Sequence, residues 1–234
     1  MSKTLVFTAT YNEVQNIKKL ISLIYKNFPK ADILVIDDNS PDLTYKLLKK
    51  LKKKYKNLKI KLRDKKYGLD SAHKFAYDFA KKNGYVKLIT MDADLSHNPI
   101  EIKKIVRLLD KSEFVIGSRY IKGGKCEMGF LRYLISVIGN KFIKFFLGIK
   151  CNEFTSSYRG FNLKKLDNFS LKNISSQGYS FFMETIYQIH SRGFSIKQIP
   201  IHFVDRKKGK SKIPRIEIFR TLFNVLKLKF KSRF

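Results

Sequence analysis

Apolar and amphipathic stretches alternate along the first half of the chain. Short runs rich in Val, Ile, Leu and Phe predict β-strands, and longer segments with apolar residues every three or four positions predict helices. The predicted strands cover residues 4–10, 33–37, 57–62, 85–91 and 113–117, and the predicted helices cover residues 12–27, 41–55, 70–82 and 99–110. This alternation is typical of βαβ units, so the sequence predicts an α/β fold with a mostly parallel central sheet.

Further along, the pattern predicts amphipathic helices within residues 128–149. The apolar positions at helical spacing are Phe130, Leu131, Leu134, Ile135, Ile138, Phe142, Phe145, Phe146 and Ile149. Arg132, Ser136 and Asn140 recur every four residues on another face. Charged residues disfavour a membrane span, so we expect this segment to lie in a membrane interface, divided into two helices at Gly139. A core helix with an ordinary apolar stripe is the alternative.

The end of the chain repeats this pattern. Its apolar stripe consists of Ile216, Phe219, Phe223, Leu226 and Phe230. Arg220, Lys227 and Lys231 lie elsewhere, so residues 216–234 are predicted to form a basic amphipathic helix that follows a domain covering residues 1–215. An ordinary core helix is the alternative here as well.

Carboxylates follow two of the predicted strands. Asp37 and Asp38 end the run ILVIDD, and Asp92 and Asp94 end the run LITMDAD. Ligands bind beyond the carboxyl ends of parallel strands, so the two acidic turns are expected to share one cleft. Carboxylates one residue apart are suitable ligands for Mg²⁺ or Mn²⁺. An acidic turn that only satisfies backbone amides within residues 92–98 is the alternative.

The charge of the chain limits the kinds of partner that it is expected to bind. The 234 residues include 49 Lys and Arg against 19 Asp and Glu, which gives a formal net charge of +30. Such an excess predicts an anionic partner, which could be nucleic acid, an acidic membrane face or a phosphorylated substrate. The lysine-rich segment 46–61 is equally consistent with a solvated helix face.

Other chemistries find no support in the sequence. There is no Walker lysine loop and no GxGxxG, which argues against P-loop enzymes and dinucleotide-dependent dehydrogenases. The two cysteines, Cys126 and Cys151, lack metal-ligand spacing and indicate a reducing compartment. The four histidines form no ligand pattern. We recognise no signal peptide and no uncharged apolar run of about 18 residues.

Eight segments occur in an order that points to one family. The first four are TATYNEVQNI (8–17), VIDDNSPDLT (35–44), MDADLSHNP (91–99) and GSRY (117–120). The later four are RYLISVIGN (132–140), TSSYRGF (155–161), YSFFMETI (179–186) and IPIHFVDRKKGKSKI (199–213). Together they resemble family-2 glycosyltransferases, whose fold is the GT-A type. The later segments are similar to dolichol-phosphate mannosyltransferases and bacterial polyprenyl-phosphate relatives, with VDRKKGKSKI the most specific piece.

The resemblance implies a set of site residues. Those implied to bind the nucleotide sugar are Ala9, Tyr11, Glu13, Ile36, Asp38, Asp92, Ala93, Asp94, Arg119, Arg206 and Lys212. Asp92, Asp94 and Ser96 would hold Mg²⁺ or Mn²⁺, and Arg132 and Ser136 would face the acceptor phosphate. Asp94 and Arg119 are implied as catalytic residues. The loop DRKKGKSK would close over the donor phosphates, although a solvated charged hairpin is the alternative.

Some positions depart from the pattern that the resemblance implies. Ser96 stands where some relatives have glutamine, which weakens its assignment as a metal ligand. Glu153 replaces an aspartate, and Val137 stands where arginine is frequent.

The implied activity is the inverting transfer of a monosaccharide, mannose from GDP-mannose, to dolichyl or polyprenyl phosphate at a membrane surface. A phosphate monoester is largely ionised at neutral pH, so such an acceptor needs no strong general base. Because the implied acceptor is a membrane lipid, we expect a peripheral protein on the cytoplasmic side of an anionic membrane, with a separate membrane subunit as an optional partner.

Two alternatives stay open at this point. One is a family-2 transferase that uses UDP-glucose, another donor or a saccharide acceptor, and the other is a basic nucleic-acid-binding protein.

Overall fold

A seven-stranded sheet forms the centre of the molecule in the computed structural model, which describes residues 3–206 and 217–231. The strands within the described residues are β1 (Thr4–Thr10), β2 (Asp32–Asp37), β3 (Leu58–Leu62), β4 (Lys87–Thr90), β5 (Phe114–Ser118), β6 (Lys125–Glu127), β7 (Arg159–Asn162), β8 (Ile196–Pro200) and β9 (His202–Val204). The order in the large sheet is β3-β2-β1-β4-β7-β5-β8, and β6 pairs with β9 in a small second sheet. Among the described strands, β7 alone runs antiparallel to its neighbours, which confirms a mostly parallel sheet.

Helices cover both faces of the sheet. They are α1 (Ile17–Asn27), α2 (Thr44–Lys54), α3 (Leu69–Lys82), α4 (Ile102–Leu109), α5 (Phe130–Leu147), α6 (Gly178–Ser191) and α7 (Glu217–Lys231). One core lies between the sheet and α1, α2 and α4, and the other lies between the sheet and α3, α5, α6 and α7. In β1, Val6 enters the first core while Leu5 and Phe7 enter the second, because successive strand residues point to opposite faces.

The helices after β1 and β2 begin later than the sequence pattern predicts. The α1 helix starts at Ile17 and α2 at Thr44. Asn12 and Leu43, which lie within the predicted helices, have positive φ angles of 59° and 68°, which a right-handed α-helix does not accommodate. The residues between strand and helix therefore form loops at the carboxyl edge of the sheet.

The predicted break at Gly139 is wrong. The α5 helix runs continuously from Phe130 to Leu147, with Gly139 in its interior. One internal glycine weakens a helix by about 1 kcal/mol, which packing along the rest of a long helix outweighs. The residues of the predicted apolar face also differ in their exposure to solvent. Ile149 is buried beyond the end of the helix, whereas Phe130 and Phe145 are 79% and 82% exposed.

The α7 helix packs against α5 and α6 through its buried residues Val225 and Leu228. Of the predicted stripe, Phe223 and Leu226 are exposed. Ile216 lies outside the described residues, and the side chains of residues 219 and 230 are not described. In the described part of the chain, no helix combines the length and the apolar character that crossing a membrane requires.

Candidate active site

A cavity of about 710 Å³ opens at the carboxyl edge of the sheet. Loops after β1, β2, β3, β4 and β5 line it, together with residues of α5, α6 and α7. Asp38, Asp92 and Asp94 all line it, so the expectation that both acidic turns share one cleft is confirmed. Asp37 differs, because its buried carboxylate accepts hydrogen bonds from Thr10 Oγ1 (2.7 Å) and Ser40.

The cavity brings together most of the residues that the resemblance implies for the donor. Its lining includes Ala9, Tyr11, Glu13, Asp38, Asp92, Ala93, Asp94, Arg119 and Arg206. Ile36 does not belong with them, because its side chain points from β2 into the core and is fully buried. Lys212 lies outside the described residues.

Asp38 holds one wall of the cavity in place. Its carboxylate accepts a hydrogen bond from Arg63 and one from the Gly68 amide at 3.2 Å. Arg63 in turn donates to Ser71 Oγ at 2.6 Å, which fixes the loop between β3 and α3. In this loop Lys66 Nζ lies 4.6 Å from the centre of the Tyr11 ring. Sequence reasoning missed Arg63, because nothing in its local pattern indicates the pairing with Asp38.

The Asp92 turn is organised by His97. The Asp92 amide donates to His97 Nδ1 at 3.1 Å, and the imidazole stacks on Tyr158 with ring centres 4.9 Å apart. Burial lowers the pKa of His97, although Asp92 and Asp94 act in the opposite direction. An Nδ1 that accepts a hydrogen bond carries no proton, so His97 is a neutral residue that positions this turn.

The two carboxylates of the turn have different surroundings. Asp92 accepts a hydrogen bond from Ser157 Oγ and is 36% exposed toward the cavity. Burial by the cavity walls raises the pKa of Asp92, and neighbouring Asp94 adds to the rise. Asp94 accepts from the Ser96 amide at 3.0 Å and pairs with Arg206 Nη2 at 2.9 Å.

Each of the three predicted phosphate-binding arginines in the described part of the chain is paired with a carboxylate. Besides the pair of Arg206 and Asp94, Arg132 Nη1 donates to both carboxylate oxygens of Asp205 at 2.8 and 2.9 Å. Arg119 binds Glu153 through Nε and Nη2 at 2.7 and 2.8 Å. Each of these three guanidinium charges is therefore balanced by a neighbouring carboxylate.

The pair of Arg119 and Glu153 is the most deeply buried of these. The Arg119 side chain is 9% exposed, and Glu153 is fully buried. Burial alone would raise the pKa of Glu153, but Arg119 and hydrogen bonds from Thr155 outweigh it and lower the pKa. Two guanidinium nitrogens of Arg119 are occupied by Glu153, so this arginine is held rigidly at the cavity wall.

The acceptor residues that the resemblance implies lie on α5. Arg132 and Ser136 both line the cavity, and the Ser136 hydroxyl accepts a hydrogen bond from Tyr120 at 2.7 Å. Asn140, the third residue of this face, is buried. It donates to Ser136 O at 2.8 Å and accepts from the Phe154 amide at 2.7 Å, so it fixes a loop to the helix.

Sequence reasoning missed contributions from two other helices. Gln177, Gly178 and Tyr179 reach the cavity at the start of α6, and Arg220 and Thr221 reach it from α7. Burial raises the pKa of Tyr179 to about 12, and the charge of Asp92 adds to the rise. The motif YSFFMETI marked the α6 segment without indicating a function, and only tertiary packing brings α7 to the site.

The donor set at the acidic turn fits a divalent cation. The described residues contain no cluster of three His, Cys, Asp or Glu side chains that would hold a metal by themselves. Mg²⁺ and Mn²⁺ commonly bind through one or two carboxylates together with substrate phosphates, and Asp92 and Asp94 supply such oxygens. The guanidinium of Arg206 against Asp94 already demonstrates that a positive charge is stabilised here.

Comparison of the sequence with known proteins identifies the family to which the chain belongs. The family model "Glycosyl transferase family 2" matches residues 5–169. The polyprenol monophosphomannose synthase of Mycolicibacterium smegmatis is 32% identical over 99% of this chain and 88% of that protein. The undecaprenyl-phosphate mannosyltransferase of Micrococcus luteus is 29% identical over 99% of this chain and 96% of that protein.

Solved structures share the architecture at low sequence identity. A glucosyl-3-phosphoglycerate synthase of Mycobacterium tuberculosis, solved with Mn²⁺ and UDP, has a TM-score of 0.69 and 14% identity, covering 98% of this chain and 80% of that one. The mannosyltransferase PcManGT of Pyrobaculum calidifontis, solved with GDP-Man and Mn²⁺, has a TM-score of 0.60 and 15% identity over 97% of this chain and 70% of that one. These likenesses confirm the GT-A fold.

Proposed function

Since this chain belongs to glycosyl transferase family 2 and is a glycosyltransferase, we propose that it transfers mannose from GDP-mannose to dolichyl or polyprenyl phosphate with inversion at the anomeric carbon. The names of both curated relatives support mannose and a polyprenyl phosphate acceptor. The observation that carries the proposal is that one cavity contains both the acidic turn and the Arg132–Ser136 face of α5. Family membership leaves the nucleic-acid-binding alternative without support.

The acidic side of the cavity suits the donor. Asp92 and Asp94 would hold Mg²⁺ or Mn²⁺, and the Mn²⁺ in the two solved neighbours supports a divalent cation. When bound, the cation supplies Lewis-acid stabilisation to the charge that develops on the departing diphosphate. Arg206 contacts Asp94, so its guanidinium is close enough to the acidic turn to bind a phosphate of the donor. Lys212 would add to the positive charge of the segment DRKKGKSK.

The α5 side of the cavity suits the acceptor. A phosphate monoester has a second pKa near 6 and is itself the nucleophile, so the reaction needs no strong general base. This agrees with the neutral His97, whose Nδ1 accepts a backbone hydrogen bond. Arg132 and Ser136 would orient the phosphate toward the sugar, and catalysis would depend on positioning and electrostatic stabilisation.

The exposed apolar residues of α5 and α7 support action at a membrane surface. Phe130, Leu131, Ile138 and Phe145 on α5 and Phe223 on α7 are exposed. Basic residues near an anionic leaflet each contribute about 1 kcal/mol of attraction. We expect peripheral attachment to the cytoplasmic leaflet, and a separate membrane subunit could add to it.

A panel of donors tests the proposal. The protein is incubated with Mg²⁺ or Mn²⁺, polyprenyl phosphate in detergent, and radiolabelled GDP-mannose, UDP-glucose or UDP-N-acetylglucosamine in separate reactions. We expect labelled lipid from GDP-mannose alone. Labelled lipid from a UDP sugar would show that the donor is that sugar nucleotide and not GDP-mannose. Transfer to a saccharide alone would show that the acceptor is a saccharide and not a polyprenyl phosphate. No labelled product with any donor would overturn the proposal.

A further inference from the structure

The cavity wall that α5 forms has two rows of residues. Arg132, Ser136 and Asn140 form a polar row, and Ile135, Gly139 and Ile143 form an apolar row. Residues four apart lie above one another on a helix, so the two rows run side by side. We propose that the apolar row seats the isoprene unit next to the acceptor phosphate, and that Gly139 leaves the room for it. The inference rests on the proposed function and adds a binding site for the lipid chain within the cavity.

Packing within the protein gives no reason for a glycine at position 139. A Cβ atom built there has no heavy atom within 4 Å. The situation differs at Gly160, where a Cβ would lie 2.4 Å from Ile105, and at Gly117, where it would lie 2.8 Å from Ile201. Gly139 has helical neighbours on both sides, and glycine is a poorer helix former than alanine. The missing side chain therefore leaves open space on the cavity side of α5, as expected where a ligand approaches the backbone closely.

The apolar row connects with the outer surface of α5. Ile135 lines the cavity and is also 44% exposed. It lies one helical turn from the exposed residues Leu131 and Ile138. A chain whose phosphate lies at Arg132 and Ser136 can thus cross Gly139 and Ile135 and continue onto the exposed apolar face without leaving apolar surface.

The chemistry of the row favours an isoprenoid over a saccharide. Hydroxyl groups placed against Ile135 and Ile143 would lose hydrogen bonds to water without replacement. A branched hydrocarbon buries its own surface there instead, which contributes roughly 25 cal/mol per Å² of apolar area. The volume at Gly139 then determines how closely the first isoprene unit can approach the helix.

Substitutions of graded size at Gly139 test this inference. The variants are Gly139→Ala and Gly139→Leu, with Gly129→Ala and Gly129→Leu as matched controls. Gly129 precedes the same helix, also has open space around its Cβ position, and does not line the cavity. The KM for farnesyl phosphate and for the donor is measured in detergent, together with the thermal midpoint of each variant.

We expect Gly139→Leu to raise the KM for farnesyl phosphate by about ten-fold or more, with a smaller rise for Gly139→Ala and an unchanged KM for the donor. Gly139→Ala should melt no lower than the wild type, because alanine favours the helix. The Gly129 variants should keep the wild-type KM values. Should the leucine variant misfold, the alanine variant carries the test, since it adds a single carbon to open space.

The outcomes separate the two claims. If the wild type transfers no sugar to farnesyl or longer polyprenyl phosphates from any donor, the proposed function fails. If the wild type is active and both Gly139 variants have its KM for farnesyl phosphate, only the inference about the apolar row fails. Equal rises in the KM for donor and acceptor would also overturn it, because the row would then not be specific for the lipid.

Discussion

At the scale of single residues, function and stability depend on which charges are paired. Asp94, Glu153 and Asp205 each hold an arginine at the cavity, whereas Asp92 faces the cavity with a hydrogen bond from Ser157. The acidic turn thus holds a positive charge at Asp94, and each of these arginines is fixed in orientation by its carboxylate partner. Preorganised charges of this kind lower the reorganisation that a transfer reaction requires.

Replacement of Asp94 by asparagine tests the acidic turn. We expect Asp94→Asn to lower kcat/KM for sugar transfer by about 100-fold or more, because the neutral amide no longer holds a cation or Arg206. The thermal midpoint should change little, since the residue lies at a cavity and not in a core. Asp167→Asn, at an exposed carboxylate outside the cavity, is the matched control. Normal turnover in Asp94→Asn would contradict the assignment of a cation to this turn.

His73 predicts how stability depends on pH. Its ring is buried between Phe7 and Phe182, each with ring centres 5.1 Å away, and burial lowers the pKa of His73 to about 3. The unfolded chain takes up this proton near pH 6.5, before the folded protein does, so the free energy of unfolding falls as the pH drops below 6.5. From this shift in the pKa of His73, we expect the free energy of unfolding to fall by about 3 kcal/mol between pH 7 and pH 4.5. Urea denaturation of the wild type and of His73→Leu measures it, and identical pH dependence in both proteins would refute the assignment.

At the scale of elements, the hydrophobic pattern predicted the parallel strands and most helices, because apolar periodicity reports which face of an element is buried. It missed the antiparallel β7, since nothing within RGFN indicates pairing between β4 and β5. It also treated Gly139 as a break, where the structure has one helix. The acidic turns were recognised from their place after strands, whereas the partners of Arg63, Arg119 and Arg132 depend on contacts between distant segments.

Arg159 on β7 connects three elements. Its guanidinium is buried and donates to the carbonyl oxygens of Ser156, Phe154 and Phe182 at 2.7 to 2.9 Å. We expect Arg159→Met to lower the free energy of unfolding by about 3 kcal/mol or more, because three buried carbonyls lose their donors. Activity should fall with it, since residues 155–157 line the cavity. Denaturant unfolding provides the measurement, and a loss below about 1 kcal/mol would show that water replaces these bonds.

The exposed face of α5 predicts membrane binding. Phe130→Ser combined with Phe145→Ser should weaken sedimentation with vesicles that contain anionic lipid, because two large apolar side chains are removed from the interface. The thermal midpoint should stay near that of the wild type, since both residues are exposed. Ile100→Ser, at an exposed apolar residue in the α1–α2–α4 layer, should bind vesicles normally. Undiminished vesicle binding by the double variant would place the membrane contact elsewhere.

At the scale of the whole molecule, the sheet, the cavity and the net charge are all consistent with the proposed reaction at a membrane surface. The carboxyl edge of the sheet provides the acidic turn, and α5 provides both the Arg132–Ser136 face and an exposed apolar surface. The net charge of +30 favours binding of the whole molecule to an anionic surface. The architecture thus places the proposed donor and acceptor sites in one cavity, next to an exposed apolar surface.

The most direct test of that arrangement is the steady-state kinetics of Arg132→Ala with donor and acceptor varied independently. Arg132 pairs with Asp205 and lines the cavity from α5. We predict that the KM for polyprenyl phosphate rises about ten-fold or more, as expected for the loss of a charge-assisted hydrogen bond, while the KM for GDP-mannose stays within about two-fold of the wild type. Equal rises in both KM values, or no change in either, would contradict an acceptor site at Arg132.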